Sequence, residues 1–149
     1  MGGNKMITLR PISKDNLWEC LDLSVHPDQQ HYVASNAISI SQSKVQPECI
    51  PLAIYHDEMM VGFLMYCLDA EDDEYWIYRL MVDQHFQNQG FGSEALHQVI
   101  ELIKGDKTRH QIFLGVHPES EPAIHLYQEA GFQFNGQIFG QEHVMVLTY

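Results

Sequence analysis

The chain has 149 residues, 45% of them hydrophobic, and a net charge of −12, which predicts a single domain over residues 1–149 with its own core. The acidic balance argues against a nucleic-acid partner, for which a basic face is expected, and favours a cationic partner. No apolar run is long enough for a membrane span and no secretory leader is visible, and the scattered cysteines and histidines predict a cytoplasmic protein without a metal site.

In chain order, the first half predicts a strand, two helices and a hairpin. Alternating apolar residues predict strands, and apolar residues three and four apart predict helices. The two apolar runs that close this half lie on either side of a tight turn, which predicts antiparallel pairing. The expected elements are a strand at residues 6–10, a helix at 17–23, a short helix plus loop within 29–46, and strands at 52–55 and 60–68.

A run of carboxylates then leads into a strand that is rich in aromatic and β-branched residues, at 74–83. Clustered charge of this kind is usually a solvated loop, and the net charge itself is also explained by solubility alone. Because this run enters the strand on which the rest of the chain is organised, a role in binding is weighed equally with the solvated loop. The carboxylates are Asp69, Glu71, Asp72, Asp73 and Glu74.

A glycine turn follows this strand and starts a helix that ends near Ile103. Free backbone N–H groups and the helix dipole make such a turn a seat for a phosphate. A nucleotide P-loop is excluded because no Lys follows the second glycine. The dinucleotide pattern G-x-G-x-x-A is matched by residues 90–95, although that turn should follow its strand at once. A turn that only starts a helix is the simplest alternative. The turn is Gln87-Asn88-Gln89-Gly90-Phe91-Gly92, followed by Ser93.

The last third predicts a strand at 111–116, a helix at 123–130 and two final strands at 132–134 and 143–147, joined around Asn135-Gly136 and Gly140. The strand–helix–strand order after the central strand predicts a parallel crossover. Within and on either side of this helix lies a spaced set of residues, namely Ser120, Ala123, Leu126-Tyr127 and Gly131-Phe132.

These two motifs together resemble the GNAT superfamily of N-acetyltransferases over residues 6–147. The turn at 87–92 matches the superfamily's acetyl-coenzyme A loop, Arg/Gln-x-x-Gly-x-Gly/Ala, letter for letter. The later set matches Asn-x-x-Ala-x-x-Leu-Tyr-x-x-x-Gly-Phe, except that Ser120 replaces the Asn. The resemblance is strongest to the bacterial spermine/spermidine acetyltransferases. It implies an α/β (α+β) fold with a mixed, mostly antiparallel sheet of six or seven strands, helices on both faces, and a central parallel pair that splays apart at residues 80–82.

The resemblance also implies where acetyl-coenzyme A binds. The backbone of the central strand would hold the pantetheine arm at Leu80, Met81 and Val82. The pyrophosphate would lie on Gln87, Asn88, Gln89, Gly90, Phe91, Gly92 and Ser93. Ser120 would contact the cofactor arm with a hydroxyl in place of an amide. Tyr127 matches the general acid that protonates the departing thiolate.

The general base is left open by the sequence. An amine with a pKa near 10.4 must lose a proton before it attacks at neutral pH. Members of this branch often carry a carboxylate at the position of Tyr78, and a neutral phenol is a poor base. Glu74 acting through water, Asp72, Asp73 and Glu142 are the alternatives.

The expected activity is acetyl transfer from acetyl-coenzyme A to a primary amine of spermine or spermidine, by direct attack in a ternary complex that leaves coenzyme A as product. Negative charge and aromatic rings would hold the cationic substrate, at Asp72, Asp73, Glu74, Trp76 and Tyr78. Other acceptors (an aminoglycoside, an amino acid or a protein N-terminus) and a non-catalytic coenzyme A sensor remain alternatives. Dimers are common in the superfamily, so a homodimer is possible, although the sequence shows no interface stripe.

Overall fold

The structure is a computed structural model that describes residues 7–149. Met6, the first residue of the predicted first strand, and the start of the predicted domain lie outside the described residues. The strands are β1 (Ile7–Pro11), β2 (Cys49–His56), β3 (Met59–Leu68), β4 (Tyr75–Val82), β5 (Gln111–Val116), β6 (Gln133–Phe139) and β7 (Glu142–Thr148). The helices are α1 (Leu17–Asp22), α2 (Asn36–Val45), α3 (Phe91–Lys104) and α4 (Glu121–Glu129), with short 3-10 turns at Pro27–Gln29 and Gln84–Phe86.

The seven strands form one sheet in the order β1-β2-β3-β4-β5-β7-β6. Every neighbouring pair is antiparallel except β4 and β5, which are parallel and are joined through α3. This arrangement confirms the predicted fold class and the predicted parallel crossover. Within residues 7–149, no helix has both the length and the apolar character needed to cross a membrane.

Each face of the sheet has its own hydrophobic core, because alternate residues of a strand point to opposite faces. On one face, α3 buries Leu96, Val99 and Ile103 at helical spacing against strand residues such as Leu64 and Leu114. On the other face, Cys20 of α1 is buried with Phe63 and other strand residues. The predicted apolar face of the helix after the glycine turn is therefore confirmed.

The central parallel pair is short and then opens. β4 and β5 pair only at Tyr75↔Ile112, Trp76↔Phe113 and Ile77↔Leu114. On its other side, β4 has an irregular register with β3, in which Met65 faces Arg79 and Tyr66 faces Ile77, so that Tyr78 is an extra, bulged residue. A bulge bends and twists its strand. The strands therefore lose their pairing from Tyr78 onward, two residues before the predicted divergence at residues 80–82.

β3 supports β4 closely beside this opening. A Cβ on Gly62 would collide with the backbone carbonyl of Met81, and Gly62 pairs with Val82. Glycine is needed here because the two backbones approach more closely than any side chain allows. The position of Met81, on the rim of the opening, is thus fixed by backbone packing.

The last hairpin differs from the prediction. β6 runs to Phe139 rather than ending at Phe134, and the connecting turn lies at Gly140. Asn135 and Gly136, expected in the turn, lie inside β6 at a register shift against β7. Gly136 has φ +90°. Residues that favour a turn also favour a bulge. Asn135 and Gly136 therefore do interrupt the regular pairing, but they do so within β6 and not in the turn between the two strands.

Candidate active site

Two clefts meet where β4 and β5 part. We call the first the α4 cleft; it has a volume of about 890 Å³ and is lined by Leu80, Met81, Ser120, Ala123 and Tyr127, with residues of the α1–α2 connection opposite. We call the second the acidic cleft; it has a volume of about 810 Å³ and is lined by Asp69, Glu71, Asp72, Glu74 and Glu142, with aromatic residues beside them. Tyr78, Arg79, Gly115 and Glu142 line both clefts.

Tyr127, the predicted general acid, lines the α4 cleft. Its ring is buried and packs edge-on against Phe132, with centroids 6.0 Å apart. Burial, together with a smaller contribution from the nearby Glu142 carboxylate, raises the pKa of Tyr127 to about 12. Its hydroxyl has no hydrogen-bond partner among residues 7–149. A protonated, uncommitted hydroxyl is suited to give its proton to a leaving group.

The glycine turn before α3 leaves backbone amides open at a helix start. The first intrahelical bond runs from the Glu94 N–H to the Gly90 carbonyl, at 3.1 Å. No side chain caps the helix, and Gly90 adopts a left-handed conformation with φ +84°. The amides of Gly92 and Ser93 have no partner in the described part of the chain. Amides that point out of a helix N-terminus bind anions, so the turn fits a pyrophosphate.

Gln87 anchors this turn to the body of the protein. Its side-chain amide donates to the Val82 carbonyl at 2.9 Å and to the Gln29 side chain at 3.0 Å. Asn88, the next residue, has a left-handed backbone with φ +64°. Of the residues predicted to hold the pyrophosphate, Gln87 therefore positions the turn through its side chain. The same bond occupies the carbonyl of Val82, which was predicted to contact pantetheine.

Gly90→Ala is expected to weaken acetyl-coenzyme A binding about tenfold, because a left-handed backbone costs an L-residue about 1–2 kcal/mol. Isothermal titration calorimetry measures the change. Gly92→Ala is the matched control: its Cβ would lie 3.5 Å from Val82 and 3.9 Å from Leu126, in ordinary contact, so a smaller loss is expected. Equal losses in the two variants would contradict this account of the turn.

Asp83, which the sequence analysis missed, ties the end of β4 to the chain after α1. Its buried carboxylate accepts the Ser24 N–H at 2.8 Å, the His85 N–H at 3.0 Å and the His85 ring Nδ1 at 2.8 Å. Burial alone would raise the pKa of Asp83, but these hydrogen bonds lower it below its usual value. An Asp directly before a polar turn is a common N-cap, and that signal was available in the sequence.

The acidic cleft combines carboxylates with an aromatic wall. Trp76 stacks on Phe113, with centroids 5.1 Å apart, and lies 6.0 Å from Phe139. The Trp76 indole N–H donates to the Asp72 carboxylate at 2.8 Å. Four of the five clustered carboxylates line this cleft. The fifth, Asp73, has φ +60° and instead pairs with Arg109 at 2.6 Å, outside the cleft.

Tyr78 and Arg79 occupy the passage between the two clefts. The Tyr78 hydroxyl donates to the Asp69 carboxylate at 2.8 Å, and burial, followed by this hydrogen bond, raises the pKa of Tyr78 far above its usual value. The Arg79 guanidinium bonds Gln42 of α2 at 3.0 Å and the Tyr78 carbonyl at 2.9 Å. The sequence analysis did not single out Arg79, Gln42 or the Tyr78–Asp69 contact, because all three depend on tertiary structure.

The two remaining carboxylates proposed as a base lie at different places. Glu74 lines the acidic cleft just before β4; at about 3.3 Å per strand residue, it is about 13 Å along the strand from Tyr78. Glu142 lies at the opening itself, where one carboxylate oxygen is 2.5 Å from the point that a Cβ on Gly115 would take. Glu142 lines the α4 cleft together with Tyr127 and raises the pKa of Tyr127, whereas Glu74 does not line this cleft.

Comparison with known proteins is consistent with this geometry. The model of the acetyltransferase (GNAT) family matches residues 15–132. A spermine/spermidine N(1)-acetyltransferase of Bacillus subtilis (strain 168) is 33% identical over 147 residues, which cover 94% of this chain and 97% of the relative. The fold resembles spermidine N-acetyltransferase from Vibrio cholerae in complex with CoA and spermine (TM-score 0.76, 17% identity, 97% and 96% of the two chains). It also resembles an aminoglycoside acetyltransferase in complex with coenzyme A and kanamycin (TM-score 0.78, 18% identity, 95% and 94%).

Proposed function

The chain belongs to the GNAT family and is an acetyl-coenzyme A-dependent N-acetyltransferase, and from this premise we propose that its acceptor is a primary amine of spermine or spermidine. The observation that carries the proposal is the acidic cleft, which opens at the same strand break as the α4 cleft that holds Tyr127. A polyamine combines ammonium groups with methylene spacers, and this cleft combines carboxylates with aromatic rings. The named activity of the Bacillus subtilis relative supports the same substrate class.

The acceptor is assigned to the acidic cleft and the donor to the α4 cleft. Asp72 and Glu74 would attract distal ammonium groups, and Trp76 would contact a methylene spacer or an ammonium by cation–π attraction. Tyr78 would meet the reacting amine, because it lines both clefts. Asp73 was predicted to bind substrate as well, but its ion pair with Arg109 directs it elsewhere. Glu74 lies on the wall of the acidic cleft. This position favours a role in binding an ammonium group over a role as a base that acts through water.

Acetyl-coenzyme A, when bound, supplies the acetyl thioester and departs as coenzyme A. From Tyr78 onward, the edge of β4 that faces β5 has no strand partner in the described chain. The backbone groups of Leu80 on that edge are available to hold the pantetheine arm and to stabilise negative charge on the carbonyl oxygen, whereas the carbonyl of Met81, also predicted to contact the arm, points towards Gly62 of β3. Tyr127 then donates its proton to the leaving sulfur. Ser120 lines the same cleft and makes no side-chain capping bond to α4, so its hydroxyl is open to the arm.

Release of coenzyme A in the steady state tests this function. With acetyl-coenzyme A present, spermine and spermidine should be acetylated with a kcat/KM well above that of butylamine, and added salt should reduce the difference because it screens the cleft charges. An equal kcat/KM for butylamine would contradict polyamine selectivity. The absence of release with any amine, despite tight cofactor binding, would favour the non-catalytic sensor.

A homodimer through β6 is also part of this proposal. Every residue of β6 is exposed, although Phe134, Ile138 and Phe139 are large and apolar, and residues 131–141 contain no charged side chain. In a chain with a net charge of −12, an uncharged strip is where a second copy meets least repulsion. Sedimentation velocity should show a dimer, and a monomer at all concentrations would contradict this assignment.

A cytoplasmic location is proposed for the protein as well. Cys20, Cys49 and Cys67 are all buried free thiols, and Cys49 and Cys67 are paired neighbours on β2 and β3 without being bridged. Unbridged thiols at such close approach fit a reducing compartment.

A further inference from the structure

We propose that Asp69 is the proton acceptor for the attacking amine and that it acts through the hydroxyl of Tyr78. The inference rests on the proposed function in one respect, because it requires an acceptor amine that is protonated at neutral pH. It supplies the base that the sequence leaves open. It also gives a chemical role to Tyr78.

Tyr78 is placed at the reaction site by the bulge. It follows Ile77, the last β4 residue paired with β5, and it is the extra residue in the register against β3. It lines both the α4 cleft and the acidic cleft. A group at this point meets an amine that enters from the acidic cleft before that amine reaches the donor.

Asp69 is held rigidly behind Tyr78. One carboxylate oxygen accepts the Tyr78 hydroxyl at 2.8 Å, and the other accepts the Glu71 N–H at 2.9 Å. The Asp69 backbone is fixed on both sides, since its N–H donates to the Glu74 carbonyl at 2.9 Å and its carbonyl accepts the Asp73 N–H at 2.8 Å. No ion pair of Asp69 is present in residues 7–149, so its negative charge is not neutralised as that of Asp73 is.

The Tyr78 hydroxyl can accept a hydrogen bond from the substrate while it donates one to Asp69. A phenol has one O–H donor and acceptor lone pairs on the same oxygen. The donor is committed to Asp69. A lone pair remains for an N–H of the substrate. Because burial raises the pKa of Tyr78, the residue passes a proton on rather than giving one up.

The proton balance is simple. An ammonium N–H proton moves to the Tyr78 oxygen as the Tyr78 hydroxyl proton moves to the bonded Asp69 oxygen. The ammonium becomes a neutral amine, the carboxylate becomes a neutral carboxylic acid, and Tyr78 is unchanged. The transfer is uphill in water, where amines hold protons more tightly than carboxylates. Loss of water from both charges in the occupied cleft favours their neutral forms. The nitrogen lone pair is then free to attack.

The test compares Tyr78→Phe and Asp69→Asn with two controls, Glu71→Gln and Glu142→Gln, in spermine kinetics. Either relay variant should lower kcat about 100-fold, the usual scale of general-base catalysis, and the double variant should lose no more than either one. The kcat of both relay variants should also keep rising with pH, because without the relay only amine that is already neutral can react. Glu71→Gln, which removes the same charge from the same cleft, should change KM rather than kcat.

Three outcomes would overturn the relay. The first is wild-type kcat and pH dependence in Tyr78→Phe. The second is a loss confined to KM in Asp69→Asn. The third is a kcat loss and an altered pH dependence in Glu142→Gln and not in the two relay variants, which would make Glu142 the base. Melting temperatures within a few degrees of wild type exclude unfolding as the cause. The proposed function fails separately, when the unsubstituted enzyme acetylates no polyamine; an amine that it does accept then serves for the same comparison.

Discussion

Substituting Tyr127 by phenylalanine is expected to lower kcat for spermine acetylation about 100- to 1,000-fold, within the range of general-acid catalysis. The substitution removes only a hydroxyl that has no hydrogen-bond partner in the described structure, so the fold and the affinity for acetyl-coenzyme A should change little. Since burial raises the pKa of Tyr127 to about 12, the hydroxyl is protonated throughout the range from pH 6 to 9. The loss should therefore be nearly the same across that range, measured as coenzyme A release.

Tyr32→Phe is the matched control for this substitution. Tyr32 lines the same α4 cleft from the α1–α2 connection, where its ring packs against His117 with centroids 4.7 Å apart. Removing its hydroxyl should alter kcat by less than about threefold, because a surface residue that takes no part in the reaction contributes little to the rate. If Tyr127→Phe retains more than half of the wild-type kcat, Tyr127 is not the general acid. If both variants lose activity equally, the effect belongs to the cleft as a whole.

Neutralising Glu71, Asp72 and Glu74 together is expected to raise KM for spermine about 10- to 100-fold while raising KM for butylamine less than threefold. One exposed carboxylate contributes at most about 1 kcal/mol, and three acting on one polycation add up to the larger change. A monoamine carries one charge and gains little from the three. Steady-state kinetics of the Glu71→Gln, Asp72→Asn, Glu74→Gln variant with both amines measures the difference.

Asp73→Asn is the control for this experiment. It removes the same charge from the same turn, but the Asp73 carboxylate pairs with Arg109 outside the acidic cleft. KM for spermine should therefore stay within about twofold of wild type. A KM as high as that of the triple variant would show that charge anywhere on the turn suffices. A triple variant that affects butylamine as much as spermine would show that the carboxylates act on structure rather than on the polycation.

The order of elements was predictable because it depends on local patterns. Strand alternation, the helical spacing of Leu96, Val99 and Ile103, and the glycine turn before α3 are all determined by residues close together in the chain. The structure and the family comparison bear out the fold class and the family. The residues of the cofactor loop and the role of Tyr127 came from the family motif alone, and they stay predictions.

The details of the acceptor site were not predictable, because they depend on register and on backbone conformation. The bulge that places Tyr78 at the strand opening arises from pairing with β3, which no local pattern specifies. The left-handed Asp73 turns one carboxylate of five away from its neighbours. Likewise, the contact of Tyr78 with Asp69 joins the end of one strand to the middle of the next. Sequence alone presented these carboxylates as equivalent.

The most direct measurement is a competition for acetyl-coenzyme A among spermine, butylamine and kanamycin at equal concentrations, with the products identified by mass spectrometry. The account predicts that monoacetylspermine dominates at low salt, and that its share falls both at high salt and in the variant lacking Glu71, Asp72 and Glu74 charges. A product mixture dominated by acetylated kanamycin or butylamine at low salt, or a spermine preference that neither salt nor neutralisation reduces, would contradict it.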